Sequence, residues 1–466
     1  MIPFRKLRLL VLALVLLVDF LLLLRHCLQF APNSSAISAS MDASMPAPSL
    51  LSRYANRTHD AHHHNPLSAP RMDTLPPWIT NYFAWHRSMR HQFSDQQLLR
   101  NKTAPKILVQ NCLHSKRYIC GGLHDRLGRL SSALYVANQT RRVLLIKWHD
   151  PLPLETFLQP HTVNWTVPYN NVRFSRDTIV QRNSYYQPSG GNTSLMDWVR
   201  VPIKISQRVL VFGRAGISTA LLESELQAAG ETDMLDDTAS FGQIWHAFFQ
   251  PSAQLQDRLD ATRKALGLTV KDSYLATHCR VRHPDRFQGH VEGRNGSTAD
   301  RTGLLFHGNN KEMAVRAAVH ALNCTESLRT SDAIHDDSVY FYSDSEDYIS
   351  RVAQKTAMRR DTETALDRQA AEMLSRTRVI SQETSNLTVA HLDRQFGLPA
   401  EAYLATFFDL YMAVTARCVV FGVGNFGYLA SKISGTSCKL LHEEPYSKRK
   451  ARMWNQQTGG ALMCMI

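Results

Sequence analysis

Short apolar runs alternate with amphipathic segments over most of this chain, and the alternation predicts its fold. The apolar runs occupy 106–110, 142–148, 208–212, 274–278, 338–343, 378–381, 418–421 and 438–441. Helical spacing of apolar residues predicts helices over 78–99, 127–139, 245–266, 311–322, 402–415 and 428–433. Apolar runs of this length between helices are typical of strands buried in a parallel sheet.

Two stretches of this alternation, divided near residue 267, predict two domains. We expect an α/β protein in which two Rossmann-like domains, residues 101–267 and 268–466, face each other across a cleft. The chain has 466 residues, of which 44% are hydrophobic. It is therefore long enough to bury two cores of ordinary size and to carry additional segments.

The first hundred residues predict a membrane anchor and a stem. The segment Leu9–Leu24 is apolar apart from Asp19, and basic residues are more frequent before it than after it. This charge bias predicts a cytosolic tail, residues 1–8, and a lumenal remainder. A bilayer span needs roughly 20 residues, so a cleavable signal peptide is the alternative. Residues 25–100 are interpreted as the stem, because most of them lack a sustained apolar period.

Glycosylation signals and cysteines agree with a lumenal location. Random placement of the asparagines would give roughly three Asn-x-Ser/Thr signals. The nine found are at Asn33, Asn56, Asn101, Asn138, Asn164, Asn192, Asn295, Asn323 and Asn386. Eight cysteines can form disulfides whose pairing the sequence leaves open, with Cys112 and Cys120 as the simplest local pair.

The net charge of +13 predicts an anionic partner. Nucleotide-type substrates, membrane headgroups and nucleic acid are all anionic. No long basic block with interleaved aromatic residues occurs in the sequence, so nucleic acid is disfavoured as a partner.

The strand predicted at 274–278 ends in a cluster of cationic and titratable residues. His278, Arg280, Arg282 and His283 follow the apolar part of the run. At the carboxyl edge of a parallel sheet, two guanidinium groups are suited to bind a phosphate or diphosphate. The alternative is a strand end whose arginines are solvated or paired with Asp285.

Two glycine-rich segments lie at predicted strand–helix turns. Residues 120–128 (CGGLHDRLG) follow the first strand, and residues 422–427 (GVGNFG) follow the strand at 418–421. Glycine allows a ligand to approach the backbone near a helix amino terminus, although tight turns or close helix–strand contacts also need it. Glu443 lies where a dinucleotide fold would place a ribose-binding acid, but too few residues follow Gly427 to complete such a domain.

Several enzyme classes lack their motifs in this sequence. There is no Asp-x-Asp pair for a divalent metal, no Gly-x-Ser-x-Gly elbow, no His-Glu-x-x-His helix and no Walker loop. Hydrolase and NTPase functions are therefore disfavoured. We expect no metal or other cofactor, because arginine can stabilise a leaving diphosphate in place of a bound cation.

Taken together, these segments resemble the GDP-fucose-dependent fucosyltransferase superfamily, which includes α1,2-, α1,6- and protein O-fucosyltransferases. The resemblance is carried by the 120–128 turn, by His278-x-Arg280, by Ser343-Asp344-Ser345 and by Asp409 with the glycine loop 422–427. It covers residues 104–441 in scattered blocks. It implies a GT-B fold, inversion at the fucose anomeric carbon, no required metal, and a type II Golgi or ER membrane protein.

The resemblance also implies roles for individual residues. It places Arg280 on the donor β-phosphate with His278 near it, and it assigns residues 268–466 to the donor and 101–267 to the acceptor. Arg282 is displaced from the family pattern and is expected at the diphosphate because of its charge. The remaining substrate contacts that it implies are Gly122, His124, Asp344, Gly424, Asn425 and Phe426. This chain departs from the α1,6 branch, which has a second Arg directly after the first where Val281 stands here. It also lacks the serine pair that relatives often have at 424 and 425.

Inversion requires a base near the acceptor hydroxyl, and Glu292 and Asp125 are the candidates. The expected function is transfer of L-fucose from GDP-fucose to a glycan or glycoprotein. The alternatives are a GT-B transferase that uses another nucleotide sugar, and an inactive relative that acts as a lectin-like protein or scaffold.

Overall fold

The computed structural model describes about half of the chain from residue 75 onward. The described stretches are 75–112, 121–148, 150–167, 178–181, 208–213, 237–265, 267–268, 274–280, 338–343, 378–380, 397–422, 425–436, 438–442 and 462–464, with single residues and short pieces at 318–328 and 392. The predicted tail, anchor and most of the stem, and the first part of the helix predicted at 311–322, lie outside these stretches. They remain predictions.

The described strands confirm the expected alternation. They are β1 Lys106–Cys112, β2 Arg142–Trp148, β3 Leu158–Pro160, β4 Thr178–Gln181, β5 Val209–Gly213, β6 Phe249–Pro251, β7 Leu275–Cys279, β8 Ser338–Ser343, β9 Arg378–Ile380, β10 Cys418–Phe421, β11 Lys439–His442 and β12 Leu462–Cys464. The helices are α1 Pro77–Gln92, α2 Asp95–Arg100, α3 Leu123–Leu127, α4 Leu130–Gln139, α5 Asp237–Phe248, α6 Ala253–Ala265, α7 Ala400–Val414 and α8 Asn425–Ser434.

The protein is a mixed α/β structure built on two parallel sheets. One sheet has the strand order β2-β1-β5-β4 and the other has the order β12-β11-β10-β7-β8-β9. Every neighbouring pair in both sheets is parallel. The short strands β3 and β6 form a separate antiparallel pair. Because parallel neighbours need crossover connections, the sequence pattern of strands separated by helices leads to this arrangement.

Layers on the two sheets share one continuous buried cluster. Phe407 of α7 stacks on Phe157 with ring centroids 4.5 Å apart, and it also contacts Trp148 at the end of β2. Trp245 of α5 donates from its indole nitrogen to the hydroxyl of Tyr411 in α7 (3.4 Å). Aromatic side chains from both halves of the sequence therefore bury each other in this core.

The single helix predicted at 245–266 is wrong, because the structure has two helices separated by β6. Pro251 lacks the backbone N–H that a helix interior requires, and it restricts Gln250 to an extended conformation. Ser252 then caps α6 by accepting a hydrogen bond from the N–H of Leu255 (3.3 Å). The helix predicted at 78–99 is divided in the same way, since Ser94 and Gln97 form a capping box that begins α2.

Two disulfides fasten the six-stranded sheet. Cys418 of β10 is bonded to Cys438, and Cys464 of β12 is bonded to Cys324. Cys279 is buried at the end of β7. Cys120 lies outside the described residues, so its predicted pairing with Cys112 remains a prediction.

No helix within the described stretches is both long and apolar enough to cross a membrane.

A buried carboxyl group lies under the six-stranded sheet. Asp409 of α7 is 3% exposed, and the hydroxyl of Tyr340 in β8 donates to its Oδ1 (2.5 Å). Burial raises the pKa of Asp409 to about 7, although the bond from Tyr340 and the charge of Arg258 act in the opposite direction. The folded protein therefore holds a proton on this group at a pH at which the unfolded chain has released it.

This shift predicts a pH dependence of stability. The folded-state pKa of about 7 exceeds the unfolded value of about 3.9, so the free energy of unfolding should fall as pH rises between these values. The slope from one such group approaches about 1.4 kcal/mol per pH unit. Asp409→Asn should remove this dependence of the free energy of unfolding on pH, which urea unfolding from pH 4.5 to 7.5 measures. Tyr340→Phe removes the hydroxyl that donates to Asp409 and so should raise the pKa of Asp409 further. The free energy of unfolding should then continue to fall at higher pH. An unchanged profile in Asp409→Asn would contradict the assignment.

Candidate functional site

The candidate site lies where the six-stranded sheet changes its direction of winding. From β7 the chain proceeds outward through β8 to β9, and it then returns to the other side of β7 at β10 and continues to β11 and β12. The carboxyl ends of β7 and β10 therefore flank a topological switch point, the place where open parallel sheets bind ligands. His278 and Arg280 lie at the end of β7, and Gly422 follows β10 on the way to α8.

His278 is buried between aromatic rings at this edge. Its side chain lies 4.9 Å from the ring of Tyr342 in β8 and 5.8 Å from that of Phe426 in α8, measured between centroids. Gly427 permits the close approach of α8, because a Cβ there would lie 3.1 Å from the Cβ of His278 and 2.6 Å from the Cβ of Phe421. The first turn of α8 therefore packs directly on the ends of β7 and β10.

His442, which the sequence analysis did not identify, joins two strands that are not neighbours. It ends β11, and its Nε2 lies 3.0 Å from the carbonyl oxygen of His278 in β7. Since a carbonyl only accepts, Nε2 carries the proton and donates. Burial lowers the pKa of His442 to about 4, so the ring is neutral near pH 7.

Gly422 makes this bond possible. The ring of His442 passes over β10 at Gly422, where an added Cβ would lie 2.2 Å from its Cε1. A side chain at 422 would therefore displace the ring. Gly422 and Gly427 therefore allow close packing of neighbouring elements. Close packing was the alternative to ligand binding that the sequence left open for this segment. Gly424 lies outside the described residues.

The glycine loop is shorter than expected, because α8 begins at Asn425 rather than at Tyr428. Asn425 and Phe426 consequently belong to the first turn of the helix. Backbone N–H groups of a first helical turn have no partner within the helix and attract anions. Arg280 follows β7 by one residue and is partly exposed. An arginine and a helix amino terminus therefore belong to the same switch point.

The turn at residues 121–125 is closed by Asp125. Its Oδ2 accepts a hydrogen bond from the N–H of Gly122 (3.1 Å) at the start of α3. Gly121 has a φ of +78°, which favours glycine. A Cβ at 121 would also lie 2.5 Å from Oδ2 of Asp125. Asp125, predicted as a catalytic base, thus stabilises the turn in this structure, and its catalytic role remains a prediction.

His124 connects this turn to α8. Its ring centroid lies 5.6 Å from that of Tyr428. Burial, with the nearby charges of Lys432 and Arg129, lowers the pKa of His124 to about 3. The imidazole is therefore neutral near pH 7. The turn at 121–125 and the switch point at β7 and β10 are thus parts of one neighbourhood, linked through α8.

Arg126 is a second functional-site neighbour that sequence reasoning missed. Its buried guanidinium donates to the carbonyl oxygens of Gly121 (2.8 Å), Asp150 and Leu392 (3.0 Å). It also lies over the ring of Trp148, 4.3 Å from the centroid. The cation therefore positions the 121–125 turn against segments distant in sequence. Its place in the CGGLHDRLG motif was the available signal.

The remaining predicted site residues cannot be placed. Arg282, Glu292 and Asp344 lie outside the described residues, as does Gly424. Within the part of the chain that the structure describes, no group of three or more His, Cys, Asp or Glu side chains could hold a metal ion.

The contact between Gly422 and His442 predicts a strong interaction between the two positions. Gly422→Ala should destabilise the protein by about 1–3 kcal/mol, a usual range for overpacking a core, and should break the bond to His278. In a His442→Ala background the same substitution should have a smaller effect, because the obstructing ring is absent. A double-mutant cycle by urea unfolding measures the difference. Equal effects in both backgrounds would show that the ring does not require this glycine.

No protein-family model matches the chain, and no curated protein sequence matches it. Solved structures do. FUT1 from Arabidopsis thaliana in complex with GDP is 13% identical, with a TM-score of 0.46, over 86% of this chain and 85% of that chain.

Two further structures show the same likeness. The fucosyltransferase NodZ from Bradyrhizobium is 12% identical, with a TM-score of 0.37, over 70% of this chain and 92% of that chain. POFUT1 in complex with GDP is 12% identical, with a TM-score of 0.39, over 74% of this chain and 100% of that chain. NodZ is described as a fucosyltransferase, and FUT1 and POFUT1 were crystallised in complex with GDP.

Proposed function

We propose that this protein is a GT-B fucosyltransferase that transfers L-fucose from GDP-fucose to a glycan or glycoprotein, with inversion and without a metal ion. In this proposal residues 268–466 bind the nucleotide sugar and residues 101–267 face the acceptor. The two parallel sheets and the motifs quoted above support it.

One observation carries the proposal: two motifs that are far apart in sequence belong to one neighbourhood at a ligand-binding edge. His124 of the 120–128 motif contacts Tyr428 of α8, and Phe426 of the same helix contacts His278 of the His-x-Arg motif. Arg280 follows two residues later. These are the segments on which the resemblance to fucosyltransferases rests, and the topological switch point is where an α/β sheet binds a nucleotide.

The reaction requires stabilisation of a leaving diphosphate. The acceptor oxygen attacks the anomeric carbon of fucose, the bond from that carbon to the β-phosphate oxygen breaks, and GDP leaves with the electron pair. Negative charge therefore develops on the β-phosphate. We assign Arg280 to this phosphate, since a guanidinium can donate two parallel hydrogen bonds to it. The N–H groups at the start of α8 would add to the same electrostatic field.

The acceptor hydroxyl must also lose a proton. His124 is unsuited to accept it, because its conjugate acid has a pKa of about 3 and would return the proton at neutral pH. The Asp125 carboxylate is engaged with the N–H of Gly122, but its other oxygen can still accept a proton. Glu292 and Asp125 therefore both stay as candidates for the base.

Two features support a location in the secretory pathway. The disulfides Cys418–Cys438 and Cys324–Cys464 are typical of proteins that fold in an oxidising compartment. The nine glycosylation signals agree with this. With the N-terminal apolar segment as a signal anchor, the protein would be a single-pass type II protein of the Golgi or ER membrane.

Substitution of Arg280 tests the proposed site. Arg280→Ala should lower kcat for transfer from GDP-fucose by about 10²–10³-fold, the usual loss when one transition-state donor is removed. Arg280→Lys keeps the charge but cannot donate two parallel hydrogen bonds. Its kcat should therefore lie between that of Arg280→Ala and that of the parent. Circular dichroism verifies that both variants fold. Full activity in a folded Arg280→Ala variant would remove the role assigned to this residue.

Chelation and a change of donor test the reaction itself. With the full-length protein, fucose transfer to a glycan array should persist in EDTA, because arginine rather than a metal ion neutralises the diphosphate. Turnover only with another nucleotide sugar would favour the broader GT-B transferase. Binding of glycans without any turnover would favour the lectin-like alternative.

A further inference from the structure

The four-stranded sheet has a switch point of its own. From β1 the chain moves to β2 on one side and later reaches β5 on the other side. The carboxyl ends of β1 and β5 therefore flank a second position where a ligand could bind. Asn111 lies in β1 directly before its last residue, and its partners in register are Lys147 of β2 and Gly213 of β5.

Asn111 is buried, and within the part of the chain that the structure describes its side chain has no hydrogen-bond partner. It is 1% exposed, and neither Oδ1 nor Nδ2 is bonded. The preceding residue differs, because Gln110 is similarly buried but donates from Nε2 to the carbonyl oxygen of Arg126. Folded proteins rarely leave both halves of a buried amide unbonded, since each half loses its hydration. A group in this state at a switch point indicates a ligand.

On this face of the sheet, the buried side chains change from apolar to polar at Asn111. Side chains alternate along a strand, so Asn111 shares a face with Ile107 and Val109, both fully buried in a small apolar cluster. On the neighbouring strand Leu145 belongs to the same cluster, and Lys147 is the next residue on that face. The apolar surface therefore ends in an amide and an ammonium group side by side, and Gly213 adds no side chain from β5.

The two unbonded atoms restrict the chemistry of the ligand. Oδ1 needs a donor and Nδ2 needs an acceptor, and this holds for either orientation of the amide. Phosphate and carboxylate ions only accept, so they would leave Oδ1 unbonded. A sugar hydroxyl both donates and accepts, and adjacent hydroxyls can engage both ends of one amide.

We propose that Asn111, with Lys147 beside it, binds the hydroxyl groups of a carbohydrate at the switch point of the four-stranded sheet. The identification of this carbohydrate as the acceptor of fucose rests on the proposed function. Binding of the carbohydrate itself does not.

Replacing Asn111 by leucine separates a ligand-binding role from a structural one. Leucine has nearly the same size and needs no hydrogen bonds, so Asn111→Leu should leave Tm unchanged or raise it. It should weaken binding of neutral oligosaccharides by at least tenfold, while the affinity for GDP-fucose at the other sheet is unchanged. Gln110→Leu is the matched control on the same strand. It breaks an existing bond and should lower Tm.

The measurements are oligosaccharide binding on a printed glycan array, titration of the strongest binder, and thermal unfolding of the full-length protein. Unchanged oligosaccharide binding by Asn111→Leu, no binding by the parent protein, or a fall in Tm as large as that of Gln110→Leu would overturn the proposal.

If the parent binds an oligosaccharide through Asn111 but transfers no fucose, the proposed function fails and this site stands. If fucose transfer occurs with an unaltered acceptor KM in Asn111→Leu, the site fails and the function stands.

Discussion

The hydrogen bond from His442 to the carbonyl oxygen of His278 is the interaction on which the geometry of the proposed donor site depends. The bond joins β11 to β7 across β10, and it forms because Gly422 has no side chain to obstruct the ring. The carbonyl group that accepts this bond belongs to His278, two residues before Arg280. A neutral imidazole is suited to this task, because it donates one fixed proton and adds no positive charge beside the arginine proposed to bind the diphosphate. The backbone two residues before the arginine is thus held by a residue 164 positions further along the chain than His278.

The alternation of apolar and helical segments predicted eight of the ten strands in the two parallel sheets, and the edge strands β4 and β12 were not predicted. The bounds of the strands at 142–148, 338–343 and 418–421 agree with the structure residue for residue, because a continuous apolar run has few other ways to be buried. The pair β3 and β6 was missed, since each strand has only three residues and ends in proline. Their pairing depends on long-range contact rather than on local pattern.

The chemistry of the site was predictable only in part. The sequence identified the strand ends at His278 and at the two glycine segments, because each of these motifs directly follows a predicted strand. It could not reveal what the glycines accommodate: Gly422 faces a histidine ring and Gly427 faces a strand, and both partners are distant in sequence. The motif marked the position of Arg126 but not its three carbonyl partners, two of which are distant in sequence. Asn111 became informative only because, within the described residues, its buried amide has no hydrogen bond.

The bond between Cys324 and Cys464 has a consequence for biosynthesis. Its two sulfurs are separated by 140 residues, so Cys324 leaves the ribosome well before its partner exists. At about 5–20 residues per second the interval is roughly 7–28 s, during which this thiol is open to other cysteines that emerge before Cys464, including Cys418 and Cys438. The edge strand β12 can be secured only after that interval. A premature bond from Cys324 to another cysteine would have to be reversed, by thiol exchange or by an isomerase, before β12 could be secured.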